Sequence, residues 1–361
     1  MRDTLLRELG FPRFRQRPPW WGADLQTLRD TLRGCRLEEH QAEVVQLPVG
    51  PDASLVGLLD QPLQGNPQAL VLVCHGLGGS SDSDGTRRLA MALRREGFAV
   101  LRLNLRGAGR GRELAPGSYA ADCSRDLLPV LRQLRLLADH LGASRSPLPL
   151  AGAGLSLGGT ILLNASRAAL QRREPGLDAL ACISSPLDLA ACSRQFARPR
   201  NRLYERWLTR RLCHQVLADP QGLSEAERQA LQGRERPRTI LAFDTLITAP
   251  RWGYASVEEY YASASPIHWL ATGPELPPTL LLHAADDPWV PAGPAMALAA
   301  GDPAALPRRL EICLSERGGH NGFHGHGDSA WGSWSDRLTA RWLHRRLSDG
   351  AASGPATAAG A

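Results

Sequence analysis

Between residues 42 and 345, short apolar runs of β type alternate with stretches of helical periodicity. That alternation restricts the chain to a layered α/β architecture on a largely parallel sheet. The strand candidates are Val44–Val49, Leu55–Leu59, Ala69–Cys74, Phe98–Leu103, Leu148–Ala151, Ala179–Ser184, Pro278–Ala284 and Arg309–Leu314. Thr86–Glu96, Cys123–Leu141, Ser156–Arg172, Pro294–Ala300 and Ser333–Leu347 read as helices between them. Eight strands with these crossovers make a doubly wound, mostly parallel sheet with helices on both faces. From Pro186 to about Ser263 the rhythm breaks, and amphipathic stretches such as NRLYERWLTRRLCHQVL replace the strands. Ligands in open α/β sheets bind outside the carboxyl ends of the strands, so an insertion leaving there covers the site. The expected organisation is an N-terminal arm (1–41), a core in two parts (42–186 and 264–348), a helical cap (187–263) and a disordered tail of small residues (349–361).

The fifth strand candidate runs into glycines. In PLPLAGAGLSLGGTILL, Ser156 stands between Gly154 and Gly158, where glycine weakens both the strand before and the helix after. A sharp strand-to-helix turn needs such residues, and G-x-S-x-G is the pattern of a nucleophile elbow, which raises a serine Oγ above the sheet. The competing reading is a glycine-rich turn in which Ser156 only caps the following helix. Context decides between them, because a nucleophilic serine needs an acid and a histidine in the chain order Ser, Asp or Glu, His. LLLHAADDPWVP is a buried strand closing on Asp286 and Asp287, and LEICLSERGGHNGF is a strand followed by a glycine-rich loop with His320. Successive residues leaving a strand point to opposite sides, and Pro288 fixes the turn, so Asp287 is the expected acid and Asp286 a turn residue. His324 and His326, after Phe323, rank behind His320. LVLVCHGLGGSSDS supplies the remaining requirement, a tight turn after a buried strand that aims an amide inward. The expected oxyanion donors are the backbone N–H groups of Leu77 and Leu157, with His75 and Gly76 shaping the loop.

Composition adds exclusions. Of the 361 residues 43% are hydrophobic and 22% charged, the balance of a globular protein rather than a disordered chain. The seven cysteines are odd in number, widely spaced and mostly set in apolar runs, so they read as reduced and buried, with no zinc spacing. No secretory signal pattern opens the chain and no apolar run is long enough for a membrane span, so a cytoplasmic location is the expectation. There is no lysine; 42 arginines give a formal net charge of +6. Seven of them (194, 198, 200, 202, 206, 210 and 211) cluster in the cap against one acid, Glu205. Leu203, Tyr204, Trp207, Leu208 and Leu212 fall on one helical face there and Arg202, Arg206 and Arg210 on another. Such a helix either packs on the core and solvates its arginines, or contacts an anionic membrane or acidic ester. No nucleic-acid-binding pattern accompanies the charge.

The chain resembles the α/β-hydrolase superfamily, and within it the YheT-like hydrolases, related to eukaryotic α/β-hydrolase-domain esterases and lipases. The resemblance covers roughly residues 11 to 345 and rests on DLQT (24–27), HGLGGSSDS, NLRGAGRG, GLSLGG, FDTLITAPRWGYASVEEYY, ADDPWVP and RGGHNGF. The stretch from Phe243 to Tyr261 discriminates best, because generic hydrolase chemistry does not demand it. The resemblance implies an α/β-hydrolase fold with an inserted cap, Ser156 as nucleophile, Asp287 as acid and His320 as base. It departs in two places: Ala153-Gly154 precedes the elbow where a bulkier residue is common, and Leu-Gln-Thr follows Asp24 rather than a histidine. The expected activity is cofactor-free cleavage of carboxylic esters, small-molecule or lipid-like, through an acyl-enzyme. An acyltransferase, a phospholipase using the same triad, or a catalytically silent ester-binding protein are the alternatives. Acyl chain length and oligomeric state are not legible.

Overall fold

The computed structural model describes residues 2–34, 37, 42–142, 147–232, 236–273, 275–301, 309–328 and 332–352. Eight strands form one sheet: β1 (Glu43–Gly50), β2 (Ala53–Asp60), β3 (Leu70–Cys74), β4 (Ala99–Asn104), β5 (Leu150–Leu155), β6 (Ala179–Ile183), β7 (Thr279–Ala284) and β8 (Leu310–Ser315). Their order is β1-β2-β4-β3-β5-β6-β7-β8. β1 and β2 pair antiparallel, as do β2 and β4, and every later pairing is parallel. The central strands β3, β5, β6 and β7 are buried throughout, as strands covered on both faces must be. Edge strand β1 buries only Leu47 and is interrupted near Pro48 by an irregular register, which blunts it as a pairing template.

The helices are α1 (Arg2–Glu8), α2 (Gly22–Leu32), α3 (Asp84–Arg95), α4 (Ser124–Gly142), α5 (Leu157–Arg172), α6 (Leu189–Phe196), α7 (Arg202–Leu217), α8 (Glu225–Gln232), α9 (Ile240–Phe243), α10 (Ala249–Arg251), α11 (Val257–Ala264), α12 (Gly293–Ala300) and α13 (Trp334–Ala352). Alternate residues of β3 serve opposite cores. Leu70 and Leu72 share one core with Leu131 and Leu134 of α4 and Leu162 of α5, whereas Val71 and Val73 share the other with Leu89 and Leu93 of α3 and Trp342 of α13. This period-two division makes a three-layer sandwich.

Among the described residues, six α-helices, α6 to α11, lie between β6 and β7 and carry a small core of their own. It joins Phe196, Leu208, Leu212, Ile240 and Phe243 to Val290, which follows β7. The apolar face expected on α7 is divided in the structure: Leu208 and Leu212 are buried, while Leu203 is 80% and Trp207 45% exposed. The inward face must match the floor beneath it, and only one side of the helix reaches that floor. β5 runs on through Gly152, Ala153 and Gly154 to Leu155 rather than ending at Ala151. The glycines there answer close packing, not strand termination. Helix α13 continues to Ala352, so the first residues of the expected tail are helical; 353–361, like Cys35, lie outside the described residues. The other six cysteines are buried and free. No helix of the described residues is long and apolar enough to cross a membrane.

Candidate active site

At the end of β5 the backbone turns into α5 through Ser156, whose φ of 52° and ψ of −125° lie far from ordinary strand or helix values. Close approach on both sides explains the neighbouring glycines. A Cβ on Gly154 would lie 2.3 Å from Gly159 N, and one on Gly158 would lie 2.4 Å from the Cys74 carbonyl oxygen. Ser156 occupies the N-cap position of α5 but makes no side-chain cap hydrogen bond. Its Oγ instead lies 2.9 Å from His320 Nε2.

The partners arrive from the ends of β7 and β8. His320 Nδ1 lies 2.9 Å from Asp287 Oδ2, and the other oxygen of Asp287 accepts from the backbone N–H of Trp289 (2.8 Å) and Val290 (2.9 Å). A carboxylate only accepts, so Nδ1 carries the imidazole proton and Nε2 is free to accept from the serine hydroxyl. Burial opposes ionisation of Asp287, but the attraction and hydrogen bond of His320 outweigh it and hold the carboxyl below the usual aspartate range. Asp286 lies in the turn after β7, but its carboxylate serves another loop: it accepts from Gly319 N at 2.9 Å and braces the histidine loop, while the turn's own N–H groups go to Asp287. His324 lies apart, between Asp30 and Asp328 at 3.7 and 3.6 Å.

The loop after β3 runs directly against the serine. A Cβ on Gly76 would be 3.0 Å from Ser156 Cβ. Buried His75 shapes this loop: Nδ1 lies 2.8 Å from the Gly76 carbonyl oxygen and Nε2 accepts from Leu105 N at 3.3 Å. Burial pushes its pKa down to about 4, so the ring stays neutral in that tautomer. Tyr119 adds a second tie, accepting from Gly78 N at 2.7 Å and donating to the Gly76 carbonyl at 3.2 Å. Neither the Leu77 nor the Leu157 N–H donates to a protein acceptor among the described residues. Both residues line the same cavity as Ser156 and His320, a hollow of about 170 Å³. Helices of the 187–263 segment wall it, with Leu189, Phe196, Leu208, Leu212 and Val216.

Sequence reasoning missed five neighbours of this site. Thr27 Oγ1 accepts from His320 N at 2.9 Å, and buried Gln26 bonds both backbone groups of His324. The indole of Trp289 packs on the His320 ring with centroids 4.7 Å apart. His283, in β7, donates Nε2–H to the Val290 carbonyl at 3.1 Å, 4.0 Å from Asp287. The fifth, Asp244, sits in one turn of π-helix (244–248) and faces the cavity. Thr27 and Gln26 belong to the DLQT stretch and Asp244 to the 243–261 stretch, so the signal was present but its target was not. Asp24, the departure in DLQT, accepts from Arg200 and from Tyr204 Oη, each at 3.0 Å, tying the arm to the start of α7.

A family profile described as "Serine aminopeptidase, S33" matches residues 65–321. The chain is 31% identical over 280 residues to "Putative esterase YheT" of Escherichia coli (strain K12), covering 76% of this chain and 77% of that one. It is 28% identical over 254 residues to "Phospholipase ABHD3" of Mus musculus, covering 70% of this chain and 58% of that one. Among solved structures, a 2,6-dihydroxy-pseudo-oxynicotine hydrolase superposes with a TM-score of 0.53 at 15% identity, over 92% of this chain and 77% of that chain. The last likeness concerns the fold alone, and the fold is that of the α/β-hydrolases.

Proposed function

The chain belongs to the family described as serine aminopeptidase, S33, and from that premise we propose that it hydrolyses carboxylic esters with Ser156 as nucleophile, His320 as general base and Asp287 as the orienting acid. The observation that carries this reading is the unbroken run of hydrogen bonds from Asp287 through His320 to Ser156, at 2.9 Å each, on a serine held at positive φ. His320 Nε2 takes the hydroxyl proton as Oγ attacks the ester carbonyl. The Leu77 and Leu157 amides receive the developing oxyanion, which is stabilised because these donors need no reorganisation at that moment. The imidazolium returns its proton to the leaving alcohol, and water, activated by the same nitrogen, then cleaves the acyl-enzyme.

The apolar cavity walls support a short- to medium-chain or lipid-like acyl group, and the names of the YheT and ABHD3 relatives support an ester as the bond cleaved. All seven arginines of 194–211 are exposed, which fits contact of that outer face with an anionic lipid surface. The family description favours a second reading, cleavage of an aminoacyl amide. The test is a panel of p-nitrophenyl esters from acetate to palmitate beside aminoacyl p-nitroanilides, with the Ser156→Ala variant as control. Ester turnover falling about 10⁶-fold in the variant is expected, as for nucleophile knockouts elsewhere. A loss below tenfold removes Ser156 from the mechanism, and anilide turnover without ester turnover assigns peptidase chemistry.

A further inference from the structure

The 243–261 stretch places a carboxylate where ester hydrolysis itself requires none. Asp244 Oδ1 accepts from Thr248 Oγ1 at 2.7 Å and Oδ2 from Tyr261 Oη at 2.8 Å, so both oxygens are aimed by residues of the same stretch. Each oxygen keeps further acceptor capacity. Asp244, Thr248, Tyr260 and Tyr261 all line the cavity that contains Ser156. No arginine or histidine pairs with Asp244 among the described residues. The basic surface of the segment does not compensate it, since none of the seven arginines between 194 and 211 lines the cavity. Arg106, which does, is engaged by both oxygens of Asp126 at 2.7 and 2.8 Å. The cavity therefore has a sign opposite to that of the surface above it. Phe243, Tyr260 and Tyr261 also line the cavity, and aromatic rings tolerate a neighbouring cation better than an anion. Asn321 Oδ1, a second acceptor without a partner among the described residues, lines the same cavity.

We infer that Asp244 is a specificity-determining residue that receives a protonated amine carried by the ester substrate. This rests on the ester-hydrolase reading above and adds the class of ester. Burial raises the carboxyl to about 6 against the pull of its two hydroxyl donors, so it is ionised at and above neutral pH. Unpaired in a walled cavity, that charge disfavours anionic substrates and is relieved by a cationic one.

The test compares kcat/KM for two pairs of near-isosteric esters, one pair for each side of the scissile bond. The first is 2-(dimethylamino)ethyl butyrate against 3-methylbutyl butyrate. The second is ethyl 4-(dimethylamino)butyrate against ethyl 5-methylhexanoate. In each pair a protonated nitrogen replaces a CH group. At pH 7 the wild type should favour the amine in one pair by tenfold or more, which corresponds to about 1.4 kcal/mol. Asp244→Asn should bring that ratio close to one. Equal rates within both pairs, or a preference that survives Asp244→Asn, overturns the inference. Turnover of the neutral esters keeps the ester-hydrolase reading intact in either event, whereas no turnover of any of the four counts against that reading itself. The wild-type comparison needs no variant, so it tests the inference even where the Asn chain, checked by its circular dichroism, does not fold.

Discussion

A side chain at Gly158 would drive a carbon to within 2.4 Å of one backbone oxygen and 2.6 Å of the next, those of Cys74 and His75. The elbow is thus a three-way approach of β3, β5 and α5, with Ser156 as the residue that tolerates positive φ because the surrounding packing holds it there. Asp244 is the residue-scale counterpart inside the cavity, and its titration has a measurable sign. Its folded value is raised to about 6, chiefly by burial. A carboxyl raised on folding contributes stability below its unfolded value and loses it as pH rises through the folded one. Between pH 5 and pH 8, Asp244→Asn should therefore gain about 1.4 kcal/mol on the wild type in urea unfolding, one pH unit of linkage. No gain would mean that the carboxylate is solvated in the folded chain. A group that costs stability at neutral pH and lines the cavity beside Ser156 is better accounted for by binding than by structure.

At the scale of elements, the histidine loop is held from outside the sheet by α2. His320 N donates to Thr27 Oγ1, while a Cβ on Gly319 would lie 2.5 Å from the Ala23 carbonyl and one on Gly322 2.6 Å from that of Gln26. The loop can lie this close to α2 only because it carries glycines. Thr27→Val keeps the shape but removes the acceptor, leaving a partly buried N–H unpaired at a cost of about 1–3 kcal/mol. We expect kcat to fall on the order of tenfold with KM little changed, because His320, the proposed base, is misplaced rather than the cavity; Thr27→Ser should restore it. An unchanged kcat in the Val variant would show that the loop holds its own geometry. This brace was not legible in the sequence. The glycines around His320 announced a tight loop, but their partners lie almost 300 residues earlier, in a segment read only as an arm. The π-turn at 244–248 was hidden for a similar reason, since its periodicity looks helical and only the buried Tyr261–Asp244 bond reveals which side faces inward.

Across the whole molecule, a buried ionic link closes the arm against the core. Arg88 of α3 meets Asp336 of α13 at 2.6 Å and Asp30 of α2 at 2.6 Å, and their attraction outweighs burial to hold the Asp30 carboxyl far below the usual range. Asp336→Ala would leave the buried guanidinium with one partner and remove the acceptor of Ser333 N. Breaking such a pair costs about 3–5 kcal/mol. Urea unfolding should register that loss, while kcat per folded molecule stays near the wild-type value because none of Ser156, Asp287 and His320, the proposed triad, touches the link; a stability unchanged within about 0.5 kcal/mol, the scale of ordinary surface substitutions, would overturn it. The eight strands, their helical crossovers and the chain order of the proposed triad, Ser156, Asp287 and His320, were legible in the sequence alone, because burial period, turn chemistry and chain order are local or one-dimensional properties. What only the tertiary structure decided is which groups converge from distant segments: α2 on the histidine loop, Trp289 on the imidazole, Asp244 in the cavity, and Leu203 and Trp207 turned outward on α7. Those outcomes depend on how packed faces meet, and a sequence specifies the faces of each element before it specifies what lies opposite them.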